Sequence, residues 1–156
     1  MKTAYIMIGL PGSGKSTLIK NQNFDETNTV VISSDDYIEA AAAEQGKTYN
    51  DVYEEEIFYA ISDMMDALNA AIADGKDIVW DQTSLTVKSR AKKIKLLGGY
   101  RVIAVVVTTP DVTEHERRLD SRHGKHIPAN VLHRMISSFE FPTVAEGFEY
   151  IIEVQS

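Results

Sequence analysis

The segment Gly9-Leu-Pro-Gly-Ser-Gly14-Lys15-Ser16 fits the spacing G-x-x-x-x-G-K-[ST] without a mismatch. Glycines so placed let consecutive backbone N–H groups turn inward around phosphate oxygens. Lys15 is placed to reach the β- and γ-phosphates of a nucleotide, and the Ser16 hydroxyl to ligate Mg²⁺. Gly12, Ser13, Gly14 and Thr17 complete the expected ATP-binding set. A helix starting at Lys15 would add the positive end of its dipole.

Other residues supply what phosphoryl transfer to an alcohol requires. Asp35 and Asp36 follow a short apolar run, where an ionised Asp can take the proton of an attacking hydroxyl. The alternative for Asp36 is a helix cap. Asp81 follows a second apolar run, in the manner of an acid that orients Mg²⁺ and its water, with a turn or capping role as the alternative. Arg117, Arg118 and Arg122 are candidates to close over the phosphates and neutralise transition-state charge. A surface pair of Arg118 with Glu114 is the alternative for that cluster. The four histidines (His115, His123, His126, His133) lack a closed ligand spacing, and surface or phosphate contacts suit them better than zinc.

The intervening sequence must position these groups, and its apolar runs alternate with helical patterns, the signature of βαβ units and a parallel sheet. Strands are expected at Ala4–Ile8, Val30–Ile32, Ile78–Trp80, Val102–Val107 and Tyr150–Val154. Helices are expected at Lys15–Asn21, 51–74, 86–97, 113–122 and 129–138. The long helix carries Ile57, Ile61, Met64, Leu68 and Ile72 on one stripe, with its Met and aromatic residues read as core, and Gly75 is placed to end it. Thr86 can cap the next helix, whose apolar positions are Val87, Ala91, Ile94 and Leu97.

Composition narrows the function. The 156 residues suit one domain, and the absence of cysteine excludes a disulfide scaffold, a thiolate zinc site and a Cys nucleophile. The longest apolar runs are too short for a membrane helix and the start of the chain does not read as a signal peptide, so a cytoplasmic protein is expected. The net charge of −7 argues against a nucleic-acid partner. Its distribution argues the other way. Residues 86–134 hold eleven of the sixteen Lys and Arg but only four of the twenty-three acids, leaving +7 there and −14 elsewhere. One anion-facing surface would explain that asymmetry, as would a solvated lysine-rich helix at 86–97.

The chain resembles the kinase domain of phage polynucleotide 5′-hydroxyl kinase and related phage hydroxymethyluracil DNA kinases. The resemblance rests on Ile8-Gly-Leu-Pro-Gly-Ser-Gly-Lys-Ser-Thr17, Asp35-Asp36-Tyr37, Thr83-Ser84-Leu85 and Arg118-Leu-Asp-Ser-Arg122. It continues through Lys125, Ile127-Pro128, Val131-Leu132, Met135, Phe139-Glu-Phe-Pro-Thr143 and Glu146-Gly147-Phe148. It implies Lys15 and Ser16 as ATP and Mg²⁺ ligands, Asp35 as general base, and Arg122, beside Arg118, as the lid arginine. It also implies an acceptor neighbourhood of Asp35, Ile38, Gln82 and Thr83. Ile38 stands where the family has a phosphate-gripping arginine. Gln82 stands where it has an acid, with Asp81 one residue earlier. Glu54-Glu55-Glu56 replaces a lysine-rich helix start.

The expectation is therefore a three-layer α/β P-loop kinase fold with a parallel sheet of about five strands, and the resemblance implies that the strand ending at Asp81 lies beside the first. Residues 1–156 form one domain with a lid at about 113–128. The expected activity is transfer of the γ-phosphoryl group of ATP to a nucleic-acid hydroxyl, at a 5′ end or on a hydroxymethyl pyrimidine. The alternatives are a small-molecule alcohol as acceptor, and a nucleotide-dependent binding module without transfer.

Overall fold

The structure, a computed structural model, describes residues 1–155; Ser156, the last position of the expected domain, lies outside the described residues. The first strand β1 (Thr3–Ile8) runs into α1 (Lys15–Asn21), β2 (Thr29–Ile32), α2 (Ser34–Gln45) and α3 (Tyr49–Ala73). There follow β3 (Asp77–Trp80), α4 (Val87–Leu96), β4 (Arg101–Val107), α5 (Val112–Asp120), α6 (Ala129–Ser138), a 3₁₀ turn (Val144–Glu146) and β5 (Tyr150–Val154). The five strands form one parallel sheet in the order β2-β3-β1-β4-β5. As expected, the strand ending at Asp81 lies beside the first, with Ala4 opposite Ile78 and Ile6 opposite Trp80.

Side chains along a strand alternate between faces, and here both faces are covered. Ala4, Ile6 and Ile8 of β1 and Val102, Ala104 and Val106 of β4 pack with Met64, Leu68 and Ala71 of α3. Met7, Ile103, Val105 and Val107 pack on the other face against Leu18 and Ile19 of α1. These strand residues are nearly inaccessible, and each buried aliphatic side chain contributes about 1.5–3 kcal/mol.

Local signals set the boundaries. Thr48 begins α3 with a reciprocal capping box to Asp51, and Gly75 follows its end at φ +68. Thr86 caps α4 by accepting the Ser89 N–H at 3.1 Å.

Three readings need correction. The buried stripe of α3 is Val52, Ala60, Met64, Leu68 and Ala71, whereas Ile61, Tyr53, Phe58 and Tyr59 are exposed. The first half of α3 packs on the narrow helix α2 through Ile38, Ala42, Val52 and Ala60, so a single face suffices there. On α4, Val87 and Ala91 are exposed, and Arg90 turns inward instead, meeting Glu146 at 2.8 Å. Arg90 is thus removed from any anion-facing surface. Asp36 is no cap: Ser33 is the N-cap of α2, and both Asp35 and Asp36 lie in its first turn. Among the described residues, no helix is long and apolar enough to cross a membrane.

Candidate active site

The chain leaves β1 through the loop 9–14, which needs left-handed backbone at Gly12 (φ +77) and Gly14 (φ +109), a conformation that only glycine adopts without strain. Gly14 is the N-cap of α1, so the first amides of that helix face the cleft without a side-chain cap. Lys15 folds over the loop and donates to Gly9 O and Leu10 O, both at 2.9 Å. An ammonium has three donors, so one remains for a phosphate oxygen. Burial lowers the Lys15 pKa from 10.5 to about 8, with the Asp81 and Asp35 carboxylates opposing the shift.

Next to this loop, Ser16 Oγ donates to Asp81 Oδ2 at 3.2 Å. A hydroxyl and a carboxylate beside a phosphate cradle are the hard oxygen donors that Mg²⁺ takes when water and phosphate complete its shell. Burial raises the Asp81 pKa, while Lys15 and the Ser16 hydroxyl pull it back.

The same cleft, about 940 Å³, is lined by Lys15, Ser16, Thr17, Asp35, Asp36, Glu39, Asp81, Gln82 and Thr83, with Arg117, Arg118, Arg122 and Lys125 opposite. Strand-end geometry explains the convergence. The chain crosses from one side of β1 to the other between β3 and β4, and ligand crevices open at the carboxyl ends of strands around such a reversal. Asp35 enters from the end of β2, and its carboxylate is held at both oxygens. Tyr49 Oη donates to Oδ1 at 2.7 Å and Lys125 Nζ to Oδ2 at 3.2 Å. The Tyr49 phenol is held protonated, chiefly by burial and then by that hydrogen bond. Asp36 is raised by burial and by the neighbouring Glu39 and Asp35 charges. Gln82 is fixed between Trp80 Nε1, which donates to its Oε1 at 3.1 Å, and Ser34 Oγ, which accepts from its Nε2 at 3.0 Å. Thr83 contributes its carbonyl to the Gly9 N–H at 3.0 Å.

The three arginines differ. Arg117 and Arg118 both bond Glu114, which their guanidiniums hold at about 2, and Arg118 also reaches Ser13 O at 3.1 Å. The Glu114–Arg118 surface pair considered from sequence is therefore present at 3.0 Å. Arg122 Nη1 is buried and has no hydrogen-bond partner among the described residues. A buried guanidinium N–H without a protein acceptor, on the wall of a phosphate cradle, fits an anionic ligand.

Two expectations are corrected here. Ile38 does not reach the cleft: it is 0% exposed, packed between α2 and α3, and cannot touch an acceptor. Its position three residues after Asp35, one helical turn on, turns it toward α3. His115 is no surface residue: it is 6% exposed, and its Nε2 lies 2.8 Å from Pro11 O, against the phosphate loop. Ser13 is wholly buried within the loop, where its N–H donates to Leu10 O at 3.1 Å and its carbonyl accepts from Arg118 at 3.1 Å. Sequence reasoning missed Tyr49 and Lys125 as partners of Asp35. Lys125 alone gave a signal, through its position after Arg122.

Fold and cleft define a P-loop, kinase-like α/β domain. An AAA-domain family profile matches residues 5–142, and the chain belongs to that family. Solved structures share the fold. A candidate kinase from Chloroflexus aurantiacus superposes with a TM-score of 0.71 at 16% identity, covering 99% of this chain and 88% of that one. A chain of the Pnkp1/Rnl/Hen1 RNA repair complex gives 0.65 at 24% identity, covering 88% of this chain but 43% of that one. Shikimate kinase from Acinetobacter baumannii, solved with shikimate, gives 0.58 at 19% identity, covering 100% and 86%.

Proposed function

We propose that this chain is an ATP-dependent kinase that transfers the γ-phosphoryl group to an alcohol. The observation that carries the reading is that the Asp35 carboxylate lines the same cleft as Lys15, Ser16, Asp81 and Arg122, whose buried Nη1 has no partner among the described residues. Asp35 accepts the proton of the attacking hydroxyl, whose oxygen forms the new bond to the γ-phosphorus as the bond to the β–γ bridging oxygen breaks. ADP leaves, and Asp35 returns its proton to solvent. Lys15, the loop amides and Arg122 offset the charge on the transferring group. Gly12, Ser13, Gly14 and Thr17 shape the nucleotide cradle, and Arg118 supports it through its bond to Ser13 O. Ser16 and Asp81 would hold Mg²⁺, which neutralises phosphate charge when bound. Residues 1–156 act as one kinase domain, with the segment 113–128 as its lid.

For the acceptor we favour a nucleic-acid hydroxyl, on the resemblance to the polynucleotide kinases. A second reading, a small hydroxy compound, is supported by Asp36 and Glu39, whose carboxylates line the acceptor side and would repel a phosphodiester chain. The test is transfer of labelled γ-phosphate, with Mg²⁺, to a single-stranded oligonucleotide bearing a 5′-hydroxyl, with Asp35→Asn as control. Label on the 5′ end, lost in the variant, supports polynucleotide 5′ phosphorylation. No label despite ATP binding overturns that acceptor and directs the assay to duplex DNA carrying hydroxymethyl bases, then to small alcohols.

A further inference from the structure

The first turn of α3 and the segment after α5 meet around the side chain of Asn50. Asn50 Nδ2 donates to His126 O at 3.0 Å, and Asn50 Oδ1 accepts the His126 N–H at 2.9 Å. The Asn50 backbone N–H donates to Gly124 O at 2.9 Å. One residue thus engages the segment's backbone three times, much as a neighbouring strand would. Gly124 lies against Thr48 with φ +67, and a Cβ there would overlap the Thr48 side chain.

This contact brings Lys125 to Asp35. Its Nζ donates to Asp35 Oδ2 at 3.2 Å and to Glu39 Oε1 at 2.8 Å, and lies 4.5 Å from the centroid of the Tyr49 ring. Tyr49, the residue before Asn50, holds the other oxygen of Asp35. The terminal torsion of an Asp is soft and two-fold, so a carboxylate tied at one oxygen can rotate while one tied at both cannot.

We infer that Asn50 is a positioning residue that latches the lid and, through Lys125, joins Tyr49 in fixing the Asp35 carboxylate for proton abstraction. This rests on Asp35 being the base. Among the described residues none of the three hydrogen-bonds the loop 9–14, so the latch acts on kcat for transfer more than on ATP binding. Misplacing a reacting group by about 1 Å costs on the order of 10² in rate.

The experiment is a double-mutant cycle on the full chain, measuring ATP affinity and, separately, single-turnover transfer of labelled γ-phosphate to a single-stranded oligonucleotide bearing a 5′-hydroxyl or, where that takes no label, to whichever of the duplex hydroxymethyl-base DNA and small alcohols of the preceding assay does. Asn50→Ala and Lys125→Met should each slow transfer by about ten- to a hundredfold, with a much smaller change in ATP affinity. The double variant should be little slower than Lys125→Met alone, because both changes remove one device. Lys125→Arg should recover part of the rate, and Gly124→Ala should copy Asn50→Ala by pushing the segment off Thr48. Losses that multiply in the double variant, or an Asn50→Ala rate equal to wild type, overturn the latch. Asp35→Asn separates the two failures: retained transfer in that variant overturns the base assignment, whereas lost transfer with independent Asn50 and Lys125 effects overturns only the latch.

Discussion

Arg90 and Glu146, 56 residues apart, form a buried two-point ion pair. Arg90 Nε donates to Glu146 Oε1 at 2.8 Å and its other terminal nitrogen, Nη2, to Oε2 at 3.2 Å, with the side chains 0% and 7% exposed. Arg90 Nη1 donates to Ser84 O at 3.0 Å. The pair ties α4 to the turn before β5 and fixes Ser84, which sits at φ +48 beyond the cleft residues Gln82 and Thr83.

Glu146→Leu should therefore be severely destabilising, because it strands a buried guanidinium. The expected loss is about 3–5 kcal/mol, read as a lower urea midpoint. Replacing both partners, as in Arg90→Met with Glu146→Leu, should recover much of that loss. A Glu146→Leu protein with an unchanged midpoint would show that the pair is open in solution.

Asp35→Asn keeps the shape of the acceptor side but removes the base. Transfer should fall below detection while ATP affinity, measured with a fluorescent analogue, stays within about twofold, since the nucleotide cradle is built from other residues. Transfer at the wild-type rate would exclude Asp35 from proton abstraction.

Arg122→Ala removes a guanidinium on the cleft wall whose buried Nη1 has no partner among the described residues. Arginines that act on phosphoryl transition states supply about 10³–10⁵ in kcat, and a loss in that range is expected here. Arg117→Ala should cost far less, because Arg117 is exposed and committed to Glu114. Equal effects of the two changes would refute the distinction.

The pH dependence of stability has a definite sign. Burial holds Lys15 and Lys93 near 8, against 10.5 for an ordinary lysine. Between those values the unfolded chain binds protons that the native chain does not, so stability of the ligand-free protein rises with pH from about 8 upward. A shift of this size corresponds to about 3 kcal/mol for one fully developed group. The urea midpoint should increase between pH 7.5 and 9.5, and the increase should shrink in Lys15→Met and again in Lys15→Met with Lys93→Met. A wild-type midpoint that is flat or falling over this interval would contradict the sign.

Much of this was legible in the residues themselves. The phosphate loop, the five strands and the pairing of Ser16 with an acid after β3 follow from local spacing and from runs of β-branched residues. What resisted reading was non-local. Arg90 sits where a helical pattern predicts a polar surface, and only Glu146, far along the chain, makes its burial tolerable. Ile38 was placed at the acceptor by correspondence with an arginine, yet an isoleucine at that turn of α2 gains more by packing on Val52 and Ala60. Tyr49 and Asn50 precede the helix expected at 51–74 and gave no local signal, because their partners Asp35 and His126 lie 14 and 76 residues away.

The order of the sheet divides the protein into parts with different freedom to change. The nucleotide loop hangs from β1, which is clamped by β3 and β4 on either side. Asp35, by contrast, comes from the end of β2, an outermost strand paired only with β3, and from a helical hairpin that carries its own small apolar cluster. On the proposed activity, substitutions in that hairpin would reshape the acceptor side while the phosphate loop on β1 keeps its support from β3 and β4. An evolving lineage could thus exchange acceptors by remodelling one peripheral module, and an engineer could graft a foreign hairpin at the same two junctions.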